Sequence, residues 1–268
     1  MNEDGTADDT LKSLTPETED PFEITIVSSG RNEYYSYDGS GNRTRKDFFT
    51  ADTTENWAYE YIEGTNLVKF DGEYAYQYDA NGNLTAKGTS YNTDKTSVYQ
   101  LGDYTKYTYD NFNRLIKVQK LNLTGTALET VVEYTYNAMN MRVQRTADSI
   151  DTTYHFDPEG KVLEEVTGTE VTDYTYLGSK HLAKITDTQT LYYGTDHLGS
   201  TILLTNAAGE DVWSGEITPF GDQESTKGLD EHVKYTGKDW DEEAELFYFN
   251  WRWYDPEIGR FTTEDSCP

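Results

Sequence analysis

One signature constrains this chain more than any other feature, a pair of tyrosines spaced by one residue and followed by a polar turn. It reads "YSYDGSGNRT" from Tyr35, "YQYDANGNLT" from Tyr76, "YTYDNFNRLI" from Tyr107, "YTYNAMNMRV" from Tyr134 and "YHFDPEGKVL" from Tyr154. A faded copy, "YTYLGSKHLA", starts at Tyr174, and successive copies lie 41, 31, 27, 20 and 20 residues apart. Self-similarity at such periods marks a repeat architecture.

The physics of one copy predicts a hairpin. Side chains alternate along a strand, so Tyr-x-Tyr sets two rings on one face. Asp-x-x-Gly-Asn supplies a turn, because Asp bonds back to nearby amides and Gly or Asn tolerates positive φ. A short alternating stretch such as "NLTAKG" or "RLIKVQK" then returns. The expectation is an all-β chain of consecutive antiparallel β-hairpins, about a dozen strands joined into one curled sheet. The tyrosines are expected to stack across neighbouring strands. A ladder of Tyr76, Tyr78, Tyr107, Tyr109, Tyr134 and Tyr136 is also a candidate platform for sugar rings, although each hairpin needs such rings for its own structure.

Charge excludes one class of partner. A formal net charge of −27 repels phosphate and offers no basic stripe, so nucleic acid is not expected. Cys267 is the single cysteine, which leaves neither an internal disulfide nor a cysteine zinc site. No metal or other cofactor is expected. No apolar run approaches the roughly 20 residues of a membrane span, and the N-terminus lacks a signal pattern. Residues 1–23 are acidic and nearly free of apolar side chains, and are read as a disordered tail.

Other candidate chemistry is thin. His155, His181, His197 and His232 are scattered. His197 lies near Asp196 and Ser200, but no nucleophile-elbow motif accompanies them. "DGSGN" and "DANGN" fit turns better than calcium loops. The sequons at Asn42, Asn83 and Asn122 are expected by chance in so Asn- and Thr-rich a chain. Trp213 and Trp240 are expected to pack the inner face of the sheet.

The "YD...GN" hairpins resemble the tyrosine-aspartate repeats of Rhs proteins, of the C components of bacterial toxin complexes and of the teneurin shell. "YYGTDHLGSTILLTNAAGEDVWSGEITPFGD" and "KYTGKDWDEEAELFYFNWRWYDPEIGRFTTED" look like the Rhs-repeat-associated core region in order and spacing. The division expected is a tail over 1–23, hairpin repeats over 24–190 and the core region, truncated, over 191–268. The resemblance implies a partial Rhs-type shell around a toxic polypeptide. It also implies a secreted or cell-surface setting, and a core that in the family is an aspartate-dependent autoprotease.

The family motif runs Arg-Tyr-Tyr-Asp-Pro, then Gly-Arg-Phe, then Asp-Pro. It falls here on Arg252, Trp253, Tyr254, Asp255, Pro256, then Gly259, Arg260, Phe261, then Asp265, where "DSCP" replaces the second Asp-Pro. In the family the arginine and that second aspartate belong to the protease site, and a further aspartate and a cleavage sequence follow. The sequence here runs three residues past Asp265. The chemistry needs two close carboxylates, so Arg252 and Asp265 are expected to form a structural salt bridge, vestigial as a protease. The expectation is therefore a shell piece without catalysis. Its partners would be other shell segments or a second copy, joined through open sheet edges, and a toxin cargo. Two other readings stay open: an aromatic module for glycans or cell surfaces, and a residual autoprotease that recruits Asp239 or Asp241.

Overall fold

A computed structural model describes residues 24–28, 31–49 and 53–265; the acidic tail and Cys267 lie outside them. The chain divides into two compact units, Met1–Glu73 and Tyr74–Pro268. In the first, β1 (Ile24–Ser28), β2 (Arg31–Tyr37), β3 (Arg43–Phe49) and β4 (Thr54–Ala58) form an antiparallel sheet in chain order. β5 (Glu60–Tyr61) and β6 (Val68–Phe70) pair as a short hairpin.

The second unit is a wall of hairpins. Its strands are β7 (Ala75–Tyr78), β8 (Leu84–Gly88), β9 (Tyr104–Tyr109), β10 (Leu115–Leu121), β11 (Leu128–Tyr136), β12 (Arg142–Ala147) and β13 (Ile150–Phe156). They continue as β14 (Val162–Thr167), β15 (Glu170–Leu177), β16 (Lys180–Thr186), β17 (Thr190–Thr195), β18 (Thr201–Thr205), β19 (Asp211–Ile217) and β20 (Gln223–Gly228). Each pairs antiparallel with the next. The hairpin series thus runs on well past the last copy visible in the sequence.

One loop geometry recurs in both units. It opens at Asp38, Asp79, Asp110, Asn137, Asp157, Asp196, Asn206 and Thr218, where the fourth residue's N–H donates to the first residue's carbonyl at 3.0–3.2 Å. In the first seven, the opening side-chain oxygen accepts the amides two and four residues on, as Asp79 does from Asn81 and Asn83 at 2.9 Å. The fourth residue is left-handed, with φ of 76° at Gly82, 59° at Asn113 and 61° at Asn140, which is why Gly or Asn stands there. The carboxylates of Asp38 and Asp79 are occupied by this turn. A bulge follows, and the first residue of the returning strand is buried: Leu84, Leu115, Arg142 and, in the first unit, Arg43.

The expected stacking of tyrosines across neighbouring strands is corrected. Tyr76, Tyr107, Tyr134, Tyr154 and Tyr174 are all buried, but they lie on β7, β9, β11, β13 and β15. Alternate strands are about 9.5 Å apart, beyond the 4.5–7 Å of a ring pair. The intervening strand supplies the contact instead. Arg142 on β12 lies 6.0 Å and 4.2 Å from the Tyr134 and Tyr154 rings on the strands either side of it.

A second, narrow sheet of β21 (Asp239–Asp241), β22 (Leu246–Phe249), β23 (Arg252–Asp255) and β24 (Arg260–Phe261) follows a short 3-10 turn at Tyr235–Gly237. Its aromatic core includes Phe247, Tyr248, Trp253 and Tyr254, all buried. Trp213 packs on Leu191 and Leu204 in the wall. Trp240 belongs to β21, 4.8 Å from Phe247, and lines one cavity with the wall residues Tyr154 and Glu165.

This narrow sheet reveals the curl. The amide of Leu84, on β8, donates to the Thr262 carbonyl at 2.8 Å, and the Tyr254 hydroxyl donates to Phe220, just before β20, at 3.0 Å. Tyr254 and Phe261 are register partners, so both ends of the wall reach the same spot. A flat sheet would hold β8 and β20 about 58 Å apart. The wall therefore curls around the inner sheet.

Candidate functional site

The seam between the hairpin wall and the inner sheet is where buried charge concentrates. Arg142 is the largest fully buried side chain. It has that position because the turn bulge aims the first residue of β12 inward. Its guanidinium donates to Asp239 of β21 at 2.6 Å and lies 4.5 Å and 5.5 Å from the Tyr248 and Trp253 rings of the inner sheet. Its backbone amide donates to the Tyr248 hydroxyl at 2.7 Å. Burial penalises the cation, but the Tyr154 phenol, Asp239 and Asp241 outweigh it and raise the Arg142 pKa. The Trp253 ring packs tilted against Tyr134, 4.5 Å between centroids, and its N–H donates to the Tyr136 hydroxyl at 2.9 Å.

Ion pairs continue along the seam on alternate strands. Arg145 holds Asp241 at 2.9 Å and also Glu243. Glu165 on β14 meets His232 at 3.0 Å. Lys184 on β16 meets Glu231 at 2.6 Å. Burial opposes charge on both members of the Glu165–His232 pair, but their mutual attraction and hydrogen bond prevail. They hold Glu165 down to about 2 and His232 up to about 9. A polar cavity of about 250 Å³ opens here, lined by Arg142, Arg145, Glu165, His232, Asp239 and Asp241 among others. Among the described residues no group of three or more His, Cys, Asp or Glu is placed to hold a metal ion, and no helix is long and apolar enough to cross a membrane.

The structure brings Arg252 and Asp265 together at 3.2 Å, with Asp265 largely exposed, and stacks the Arg252 guanidinium 3.8 Å from the Phe261 ring. It does not bring Asp239 or Asp241 to them. β21 and β24 are the two edges of the inner sheet, about 14 Å apart, and both aspartates are engaged by wall arginines. Tyr76, Tyr107 and Tyr134 are buried, while Tyr78, Tyr109 and Tyr136 are half-buried. Asp196 spends its carboxylate on the amides of Leu198 and Ser200, and the buried Ser200 hydroxyl accepts from the Thr236 amide at 3.1 Å. His155 is exposed beside Glu164. Asn42 and Asn83 are buried.

Sequence reasoning missed Arg142, Arg145, Glu165 and Lys184, and set His232 aside as scattered. One signal could have found Arg142: charge at a repeat position that Leu84 and Leu115 fill with leucine.

The sequence matches the teneurin YD-shell family over residues 22–267. It is similar to the double-stranded DNA deaminase toxin A of Burkholderia cenocepacia (strain H111), 25% identical over 96% of this chain and 19% of that protein. It is 28% identical to the tRNA3(Ser)-specific nuclease WapA of Bacillus spizizenii over 87% of this chain and 10% of that protein. Among solved structures, the crystal structure of TcdB2-TccC3 aligns with 88% of this chain and 17% of that chain, at 15% identity and a TM-score of 0.39. The chain thus spans a fifth or less of the length of these two relatives.

Proposed function

Because the chain belongs to the teneurin YD-shell family, we propose that this fragment of an Rhs-type toxin shell serves to enclose a polypeptide rather than to catalyse. The observation that carries the reading is the inner sheet, held from β8 to β20 by a wall that curls around it. A curled wall with an anchored inner block is what an enclosing shell needs. In this reading residues 24–190 are the repeat wall and 191–268 the core region. β20, the edge strand of the wall, pairs with another shell segment or a second copy. The likeness to a deaminase toxin and a tRNA nuclease favours a toxic cargo and a secreted or cell-surface setting. Burial of Tyr76, Tyr107 and Tyr134 favours a structural ladder over a glycan platform. The engagement of Asp239 and Asp241 by wall arginines favours a structural Arg252–Asp265 pair over a protease.

The test is the intact mass of the native protein, captured from its source with an antibody to the hairpins. A longer polypeptide, or a toxin retained with the captured protein, is expected. This chain alone, with nothing retained, argues against enclosure. A loss of mass over time that Asp265→Asn abolishes would overturn the non-catalytic reading.

A further inference from the structure

The seam contains a second histidine whose surroundings are opposite to those of His232. His181 projects from β16 into a box of rings, 5.7 Å from Tyr174 and 4.5 Å from Tyr176, both on β15, and 5.3 Å from Tyr193 on β17. The lid of this box is the inner block's own backbone. A Cβ on Gly237 would stand 3.4 Å from the His181 Nδ1 and 3.4 Å from the Gly199 carbonyl, so Gly237 seats directly against the imidazole. Tyr174 also touches His232, at 6.5 Å between ring centroids. The two imidazoles thus flank one ring.

The charges around His181 do not favour a proton. From the inner block come Lys238 and His232, both positive, and Asp239, which is committed to Arg142. From the turn before β14 come Glu159 and Lys161, which line the same cavity of about 100 Å³. The tyrosines of β15 and β17 bring no charge. Burial is the dominant influence on His181, Asp239 opposes it and His232 and Lys238 reinforce it. Together they depress its pKa to about 4.

From this geometry we propose that His181 is an acid-sensitive latch: the neutral ring lets the Gly237 turn of the inner block seat on the wall, and protonation of the ring unseats it. The proposal goes beyond enclosure and stands whether or not the chain holds a cargo. Its pH window follows from the groups at the seam. His232 is already charged below pH 6.5 whether seated or not, and Glu165 loses its contribution only as pH falls below about 4.5 toward 2. Between pH 6.5 and 5, His181 is the shifted group that responds most. With His181 depressed from 6.5 to about 4 and His232 held up from 6.5 to about 9, unseating is about eightfold more favourable at pH 5 than at pH 6.5.

Hydrogen exchange on the full chain tests it, with rates corrected for the intrinsic effect of pH. Peptides covering 235–249 should open about eightfold more at pH 5 than at pH 6.5, while peptides covering 201–217 stay protected. His181→Gln, close in size and always neutral, should open less than threefold over the same range. An unchanged wild type, or a variant that opens as much as the wild type, overturns the latch. His181→Phe guards against a poorly packed glutamine. If both variants are unprotected at pH 6.5, a neutral side chain does not suffice and the proposal fails.

Discussion

Two hairpins of this molecule carry arginine at the same repeat position, and they use it differently. In the first unit Arg43 follows the Asp38 turn, lies 4.9 Å from the Tyr35 ring and 5.2 Å from the Tyr59 ring, and donates to the Tyr59 hydroxyl at 3.0 Å. In the second unit Arg142 follows the Asn137 turn, lies between Tyr134 and Tyr154, and reaches a carboxylate 97 residues away, Asp239 of the inner sheet. Both guanidiniums are buried among rings. Arg43 meets the phenol rings of Tyr35 and Tyr59 in its own unit, whereas Arg142 joins two sheets. The same repeat position can therefore aim a cation inward in both units, and in the second unit a separate sheet supplies the anion that makes it an anchor.

The largest effect should come from breaking the anchor. Arg142→Leu, which installs the residue found at Leu84 and Leu115, strands Asp239 in a mostly buried site. Removing one partner of such a pair costs about 3–5 kcal/mol. The urea midpoint of the second unit should fall accordingly, and amides of β21–β23 should lose protection first. Arg43→Leu, which forfeits the ring contacts to Tyr35 and Tyr59 and the hydrogen bond to the Tyr59 hydroxyl, should lower the stability of the first unit by about 1–2 kcal/mol. Equal losses in the two variants would erase the contrast.

Alkali should weaken the seam through His232. Its pKa is raised in the folded protein to about 9, so its contribution is complete below pH 6.5 and is lost as pH rises through 9. The urea midpoint should drop across that window in the wild type and stay flat in His232→Gln. The smallest effect belongs to the Arg252–Asp265 pair. Asp265 is 63% exposed, and exposed pairs contribute less than about 1 kcal/mol. Arg252→Ala and Asp265→Asn should each leave the midpoint within that margin.

The hairpins were legible because Tyr-x-Tyr-Asp packs a strand face and a turn into adjacent residues. The all-β class and the turn chemistry at Asp38, Asp79 and Asp110 came from that local information. Beyond residue 190 the signature blurs: Asp196, Asn206 and Thr218 open the same turn, but the preceding residues no longer spell Tyr-x-Tyr. The tyrosine ladder was misjudged because the sequence shows a period of two strands, while contact is decided by the strand between. The seam was invisible for a different reason. Arg142 and Asp239, or Lys184 and Glu231, are far apart in sequence, and only the curl of the wall brings them together. The candidate pair Arg252 and Asp265 was visible because its motif lies within one short stretch.

A double-mutant cycle on Arg142 and Asp239 addresses the central claim, that the curled wall and the inner sheet are held as one body by buried charge. Arg142→Leu, Asp239→Asn and the double variant would be unfolded in urea beside the wild type. A coupling of about 2 kcal/mol or more is expected for residues in direct contact. Additivity within about 0.5 kcal/mol would mean that the two side chains do not depend on each other, and that the inner sheet is held some other way.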